Sequence, residues 1–240
     1  MEYGIQLFGV RDIAGNDLKA ALQGVAELGY AAAEFAGFFG HEAAEVKSWL
    51  DGFGLYASGT HTGWKEVAER FEETVAYHKA IGCGLVIVPG ADLGTREKLD
   101  AFIEMAKEFA PKLAAEGLRF AYHNHDGEFL PNEDGQIIFD ELMARTPMLL
   151  QLDTYWAYAA GKDPVALMEA HAARIAAIHI KDGLADHSGK PLGLGTAPVR
   201  AVYETACRLG FPIVVESETQ DPDGMTEAGI CIEYLRLLEQ

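Results

Sequence analysis

The stretch Leu118–Phe129, LRFAYHNHDGEF, gathers His123, Asn124, His125, Asp126 and Glu128 where an apolar, strand-like run ends. A packed core has little use for that set, because each buried polar group needs a partner. A metal ion or a proton-transfer site uses it directly. Similar groups end other apolar runs: Gln6 and Arg11 near YGIQLFGV, Glu34 in AAEF, His61 closing LYASGTH and Asp153 closing MLLQLD. His179 lies in IAAIHI with Lys181 and Asp182 just beyond, and Glu216 closes IVVE. Taken singly, His179 reads as a satisfied core histidine, Asp153 as a helix N-cap and Glu216 as a salt-bridge partner. Their shared position at strand ends favours a joint role. Two Glu, one Asp and one His form a hard oxygen and nitrogen set that suits Mn²⁺, Mg²⁺, Co²⁺ or Zn²⁺, without choosing among them.

The elements that must position these groups follow from periodicity. Strands are expected at Tyr3–Val10, Ala31–Phe35, Leu55–His61, Leu85–Pro89, Leu118–His123, Met148–Asp153, Ile175–Ile180 and Ile213–Glu216. LVIVP is β-branched and apolar, as in a parallel strand buried on both faces. Helices are expected at Leu18–Leu28, about His41–Gly52, Trp64–Ile81, Arg96–Glu116, within Gly135–Arg145, and at Pro164–Ala173, Pro198–Leu209 and Gly224–Leu238. Lys181–Thr196 reads as a loop. Strands alternating with helices predict parallel βα units. Eight such units in 240 residues predict a (β/α)₈ TIM barrel as a single domain over 1–240. An open doubly wound sheet is the alternative, but the first βα turn, FGVRDIAGND, has no GxGxxG phosphate loop.

Bulk properties narrow the function. The net charge of −18 would repel a phosphate backbone, which argues against nucleic acid as partner. No apolar run reaches the roughly 20 residues a membrane span needs. MEYGIQLFGVRD lacks the basic and apolar regions of a signal peptide. Cys83, Cys207 and Cys231 are widely spaced and odd in number, which fits reduced thiols and a cytoplasmic location better than a disulfide frame. Without a CxxC pair, a thiolate zinc site is not expected.

Several segments together resemble the sugar phosphate isomerase/epimerase branch of the xylose isomerase-like TIM barrel superfamily. They are GIQLFGVRD, YHNHDGEF, LDTYWAYAAGKDP, IHIKDG, GLG and VVESE, in this order across nearly the whole chain. The resemblance implies one divalent metal ion held by Glu, Asp, His and Glu at successive strand ends. Asp153, His179 and Glu216 match the last three, including the 26-residue interval from Asp153 to His179. Many relatives carry Glu-Asn at the end of the fifth strand, where this chain has His123-Asn124. Glu128 is therefore expected to reach back as the fourth ligand, with His123 as the substitute or an additional ligand. GLGT also stands where relatives often show Gly-Glu-Gly, and Leu194 cannot make a glutamate's polar contacts.

Such a site would polarise a sugar carbonyl and its neighbouring hydroxyl and stabilise an enediolate after proton removal. His125 is the expected base, with Glu128 and Glu216 as alternatives. Lys181 is read as an aid to the developing charge, or else as a salt-bridged lysine. Substrate contacts are assigned to His123, Asn124, Trp156 and His61, and Tyr155 and Trp64 could add an apolar platform. The expected activity is isomerisation or epimerisation of a small-molecule sugar or keto-sugar. Dehydration or β-elimination on a keto-sugar or keto-inositol is the alternative, because it begins with the same proton abstraction. A non-catalytic sugar-binding barrel is the reading from another class. Phosphodiester cleavage would want more His ligands and a basic groove. A homo-oligomer is compatible with this sequence, which does not specify one.

Overall fold

The computed structural model describes residues 1–240. Eight parallel strands close a barrel: β1 (Gly4–Gln6), β2 (Ala32–Phe35), β3 (Tyr56–His61), β4 (Leu85–Val88), β5 (Arg119–His123), β6 (Leu149–Asp153), β7 (Ile175–Ile180) and β10 (Ile213–Val215). β10 pairs with β1 and completes the ring, and helices follow the strands around the outside. This is the expected (β/α)₈ TIM barrel. No helix is long and apolar enough to cross a membrane. All three cysteines are free.

Strand alternation divides the residues between two environments. Val86, Val88, Phe120 and Tyr122 point outward into one apolar cluster with the helices. Ile5, Phe35, Leu150, Leu152, Ile178, Ile180 and Val215 enter the other. Each fully buried side chain of this size contributes about 1.5–3 kcal/mol. Leu85, Ile87, Ala121 and Ala176 form a small apolar cluster of their own. Nearer the C-terminal strand ends the buried residues become polar: Gln6, Glu34, His123, Gln151, Asp153, His179 and Glu216. Gly59 makes space for this layer. A Cβ there would lie 2.7 Å from Ile87 Cδ1 and 3.0 Å from Glu34 Oε2.

Three segments depart from the expected elements. The first strand stops at Gln6, whose side chain accepts a hydrogen bond from Phe8 N at 3.1 Å and caps a 3₁₀ turn over Leu7–Val10. The helix expected over Trp64–Ile81 breaks at Arg70, where φ is −127° and ψ 40°, into Trp64–Glu69 and Phe71–Ile81. An unexpected helix, Thr154–Ala159, begins directly after β6, with Asp153 as its N-cap.

The Gly-rich loop after β7 contains a small antiparallel ribbon of β8 (Asp182–Gly183) and β9 (Gly189–Lys190). The buried Asp182 carboxylate organises it. Oδ1 accepts from Gly183 N at 2.8 Å and Ala197 N at 3.1 Å, while Oδ2 accepts from Gly193 N at 2.9 Å and Gly195 N at 3.0 Å. A Cβ on Gly195 would stand 2.2 Å from Asp182 Oδ1, so only glycine allows this approach. Leu194 at the tip is exposed. Asp182→Ala orphans four backbone donors and should cost about 3 kcal/mol or more. Urea unfolding of the metal-free protein tests this, and a loss below about 1 kcal/mol would contradict the role assigned to Asp182.

Candidate functional site

Register places the polar layer. Gln6 lies beside Glu34 across β1 and β2, His123 beside Gln151 across β5 and β6, and Asp153 beside His179 across β6 and β7. His123, Asp153, His179 and Glu216 each offer one ligand-type atom, and these four atoms all lie within 4.8 Å of one another. Every one of these residues is buried. Asp153 Oδ1 accepts from Trp156 N at 2.8 Å, while Oδ2 has no hydrogen-bond partner. His179 Nδ1 and Glu216 Oε2 are 3.2 Å apart, yet neither makes an aligned hydrogen bond. His123 Nε2 stands 3.9 Å from Glu216 Oε2, and its Nδ1 is also unpartnered. Buried polar atoms are rarely left this way. Nitrogen and carboxylate donors in this number fit a divalent cation.

Glu34, noted in the sequence only as a strand-end acid, is central to the arrangement. Its Oε1 accepts from His179 Nε2 at 2.7 Å and from Gln6 Nε2 at 2.8 Å, and its Oε2 accepts from Gln151 Nε2 at 2.6 Å. His61 Nε2 donates to Gln151 Oε1 at 2.9 Å and also lies 3.2 Å from Glu34 Oε1. Because Glu34 occupies His179 Nε2, it is Nδ1 that faces the carboxylates of Asp153 and Glu216, and it becomes a lone-pair donor once its proton leaves. This is the way outer carboxylates orient metal-binding histidines. Gln151 was not singled out from the sequence, and the alternation of β6, which puts it on the same face as Asp153, was the available signal.

The electrostatics are those of a crowded anionic pocket. Burial opposes the charge on Glu34 and on Glu216. His179 outweighs it for both, helped by His61 at Glu34 and by Lys181 and His123 at Glu216, so both carboxyls sit below their usual range. Burial likewise disfavours the His179 cation, but Glu34 and Glu216 together hold its pKa well above the usual value. Burial, reinforced by His179, drives His123 well below the normal histidine range and leaves it neutral. Burial is also the main reason that the Asp153 carboxyl is pushed up to about 7, with Glu216 adding to it and Lys181 and His179 opposing.

A cavity of about 270 Å³ opens onto this layer, lined by Phe8, Ala36, His61, Pro89, His123, His125, Glu216 and Glu218. His61, His123 and His125, all expected at the site, are therefore on its wall. Glu128, expected as the fourth ligand, lies elsewhere. Its Oε1 accepts from Tyr122 Oη at 2.7 Å and its Oε2 from His125 N at 2.8 Å. Both oxygens are occupied, and His123 stands in the four-residue group instead. Asn124, expected to touch substrate, spends its amide on Asp153: Nδ2 donates to Asp153 O at 3.2 Å, and Oδ1 accepts from Asp153 N at 3.1 Å. Trp156 covers Lys181, whose Nζ is 4.6 Å from the ring centroid, and sits 5.9 Å from the His125 ring. Tyr155 is fully buried, and Trp64 packs edge-on against Phe102, so neither forms a platform on the cavity wall. Lys181 Nζ pairs with Glu218 Oε2 at 2.6 Å and lies 3.7 Å from Glu216 Oε2. Burial works against its charge, but Glu216, Asp153 and Glu218 outweigh it, and the group stays an ammonium. That makes Lys181 a fixed cation and unsuited to act as a base.

The sequence pattern described as a xylose isomerase-like TIM barrel matches residues 22–238. The rhizopine catabolism protein MocC of Rhizobium meliloti is 27% identical over 198 residues, covering 72% of this chain and 60% of that protein. The chain thus spans less than two thirds of the length of this curated relative. Among solved structures, a sugar phosphate isomerase/epimerase from Parabacteroides distasonis superposes with a TM-score of 0.85 at 22% identity, covering 98% of this chain and 97% of that one. The probable 3-DHS dehydratase AsbF from Bacillus anthracis superposes with a TM-score of 0.78 at 12% identity, covering 98% and 99%. At these identities the structural likeness is one of fold.

Glu34→Gln would put an amide NH₂ among the donors of Gln6, Gln151 and His179. The expected loss is about 3–5 kcal/mol of stability in the metal-free protein, as when one partner of a buried ion pair is removed. Denaturant unfolding measures it, and an unchanged midpoint would show that the network does not depend on this charge.

Proposed function

The chain belongs to the xylose isomerase-like TIM barrel family, and on that premise we propose that it is a divalent-metal-dependent isomerase or epimerase of a sugar or keto-sugar. The observation that carries this reading is the convergence of unpartnered Asp153 Oδ2, His179 Nδ1 and Glu216 Oε2 beside His123, a group two of whose members, His123 and Glu216, line a cavity of about 270 Å³. His123, Asp153, His179 and Glu216 would hold the ion. When bound, it would supply Lewis acidity to the carbonyl and adjacent hydroxyl oxygens of a substrate. His125, on the cavity wall, takes the proton from the hydroxyl-bearing carbon beside the carbonyl and, in an isomerisation, delivers it to the former carbonyl carbon, whereas an epimerisation needs an acid on the opposite face. Glu128 fixes the His125 backbone through its 2.8 Å bond. Lys181 supplies positive potential for the oxygen that gains charge. Trp156 shields that ammonium from water. The dimensions and polar wall of the cavity suit a small polyhydroxy compound.

Dehydration is the second reading. It is supported by His125 on the cavity wall, which, holding the proton it has taken from carbon, would pass that proton to a departing β-hydroxyl so that it leaves as water.

Panels of ketoses and keto-inositols incubated with metal-loaded protein in D₂O, followed by NMR, separate the readings. Deuterium entering the carbon next to the carbonyl with retention of all hydroxyls supports isomerisation or epimerisation. Loss of a hydroxyl supports dehydration. Binding without exchange or turnover would indicate a sugar-binding barrel and overturn both. His125→Ala should slow exchange by about 10²–10⁴-fold if His125 moves the proton.

Ion binding should also be strongly pH-dependent. In the metal-free protein His179 holds a proton that the ion must displace, and the Asp153 carboxyl, pushed up to about 7, holds another below neutrality. Apparent affinity should therefore rise with pH, by about a hundredfold or more from pH 6 to pH 8. Calorimetric titration in buffers of different ionisation enthalpy counts the released protons, and a pH-independent affinity would contradict the assigned protonation states.

A further inference from the structure

Resting on the metal reading above, we propose that the site selects a late first-row ion such as Zn²⁺ or Co²⁺ over Mg²⁺, and that the His123 ring is the determinant. The donor set is two imidazoles and two carboxylates. Mg²⁺ favours oxygen donors and retained water, whereas imidazole suits the later transition ions.

No neighbouring residue of this segment is free to supply an oxygen donor in place of His123. His123 ends β5, is buried, and lies with its ring centroid 4.7 Å from that of His179. Glu128 is the carboxylate that follows it on the same segment. It bonds to Tyr122 Oη and to His125 N, so recruiting it would break two buried hydrogen bonds and release the His125 backbone. Asn124 is held by the Asp153 backbone and cannot swing inward. His61 adds to the nitrogen-rich side. Its ring is 5.0 Å from His123 and 5.6 Å from His179, and it joins those two rings in a second compact group of ligand-type atoms. Its Nε2 faces two acceptors, Gln151 Oε1 and Glu34 Oε1, and so carries the hydrogen. His61 is therefore tied to the supporting network, which leaves His123 as the second imidazole of the donor set.

The test uses the full chain stripped of metal, with Zn²⁺, Co²⁺ and Mg²⁺ each competed against a chromophoric chelator. The wild-type protein should prefer Zn²⁺ and Co²⁺ to Mg²⁺ by at least about a hundredfold. His123→Glu should narrow that preference by at least about tenfold, because an oxygen replaces a nitrogen. Pulsed EPR of the Cu²⁺-loaded protein gives a second readout that needs no turnover. Two imidazole couplings are expected in the wild type and one in His123→Gln. An unchanged metal preference in a folded His123→Glu protein, or a single imidazole coupling in the wild type, would overturn the proposal. If His123→Glu does not fold, the wild-type EPR spectrum decides. If no divalent ion binds the wild type at all, the metal reading itself fails, an outcome distinct from ions that bind without dependence on His123.

Discussion

The arrangement of the strand ends depends on one buried carboxylate, Glu34. It is fully buried and accepts hydrogen bonds from residues on β1, β6 and β7. Isolated, such a charge would be prohibitively costly. Surrounded by three donors, one of them the His179 cation, it becomes a bolt through the barrel that fixes which nitrogen of His179 faces Asp153 and Glu216. A hydrophobic layer in its place would give comparable or greater stability. What Glu34 supplies is orientation, and the same constraint explains Gly59, whose missing side chain lets the carboxylate sit where it does.

A second set of contacts works from outside the lumen. Asn124 clamps the backbone of Asp153, Trp156 N holds one of that residue's oxygens, and Glu128 pins His125. Each of these polar groups is satisfied within the protein and positions its neighbour. Side chains that are fully satisfied by protein are poor ligands. Those left with an unpaired buried atom are the better candidates.

This distinction marks the boundary of what the sequence makes legible. The barrel follows from periodicity, because parallel strands buried on both faces and capped helices leave strong local signals. Asp153, His179 and Glu216 can be singled out because each ends, or nearly ends, an apolar run. His123 and Glu128 cannot be separated in this way, since the choice turns on whether Glu128 meets Tyr122 Oη, a contact made across a 3₁₀ turn that no periodicity announces. Gln151 carries only the weak signal of sharing a strand face with Asp153, and a glutamine there acquires meaning only once its neighbour across the lumen is known to be Glu34. The helix Thr154–Ala159 was hidden for a related reason. TYWAYA is rich in aromatic and β-branched residues with modest helix propensity, and it is the Asp153 cap and the packing of Tyr155 that carry it.

Charge balance ties the supporting network to the chemistry. Glu34, Asp153 and Glu216 place three buried carboxyl groups around His179, with Lys181 as the nearest fixed cation. Without an ion, the protein approaches neutrality only by keeping a proton on His179 and raising the affinity of Asp153 for another. Those protons occupy the side chains whose atoms lack hydrogen-bond partners, Nδ1 of His179 and Oδ2 of Asp153. On the proposed metal reading, a divalent cation would supply the same two positive charges in one place and leave both side chains free to act as donors. The neutral His123 would then add a ligand without adding a further negative charge, which the buried layer has no second lysine to balance.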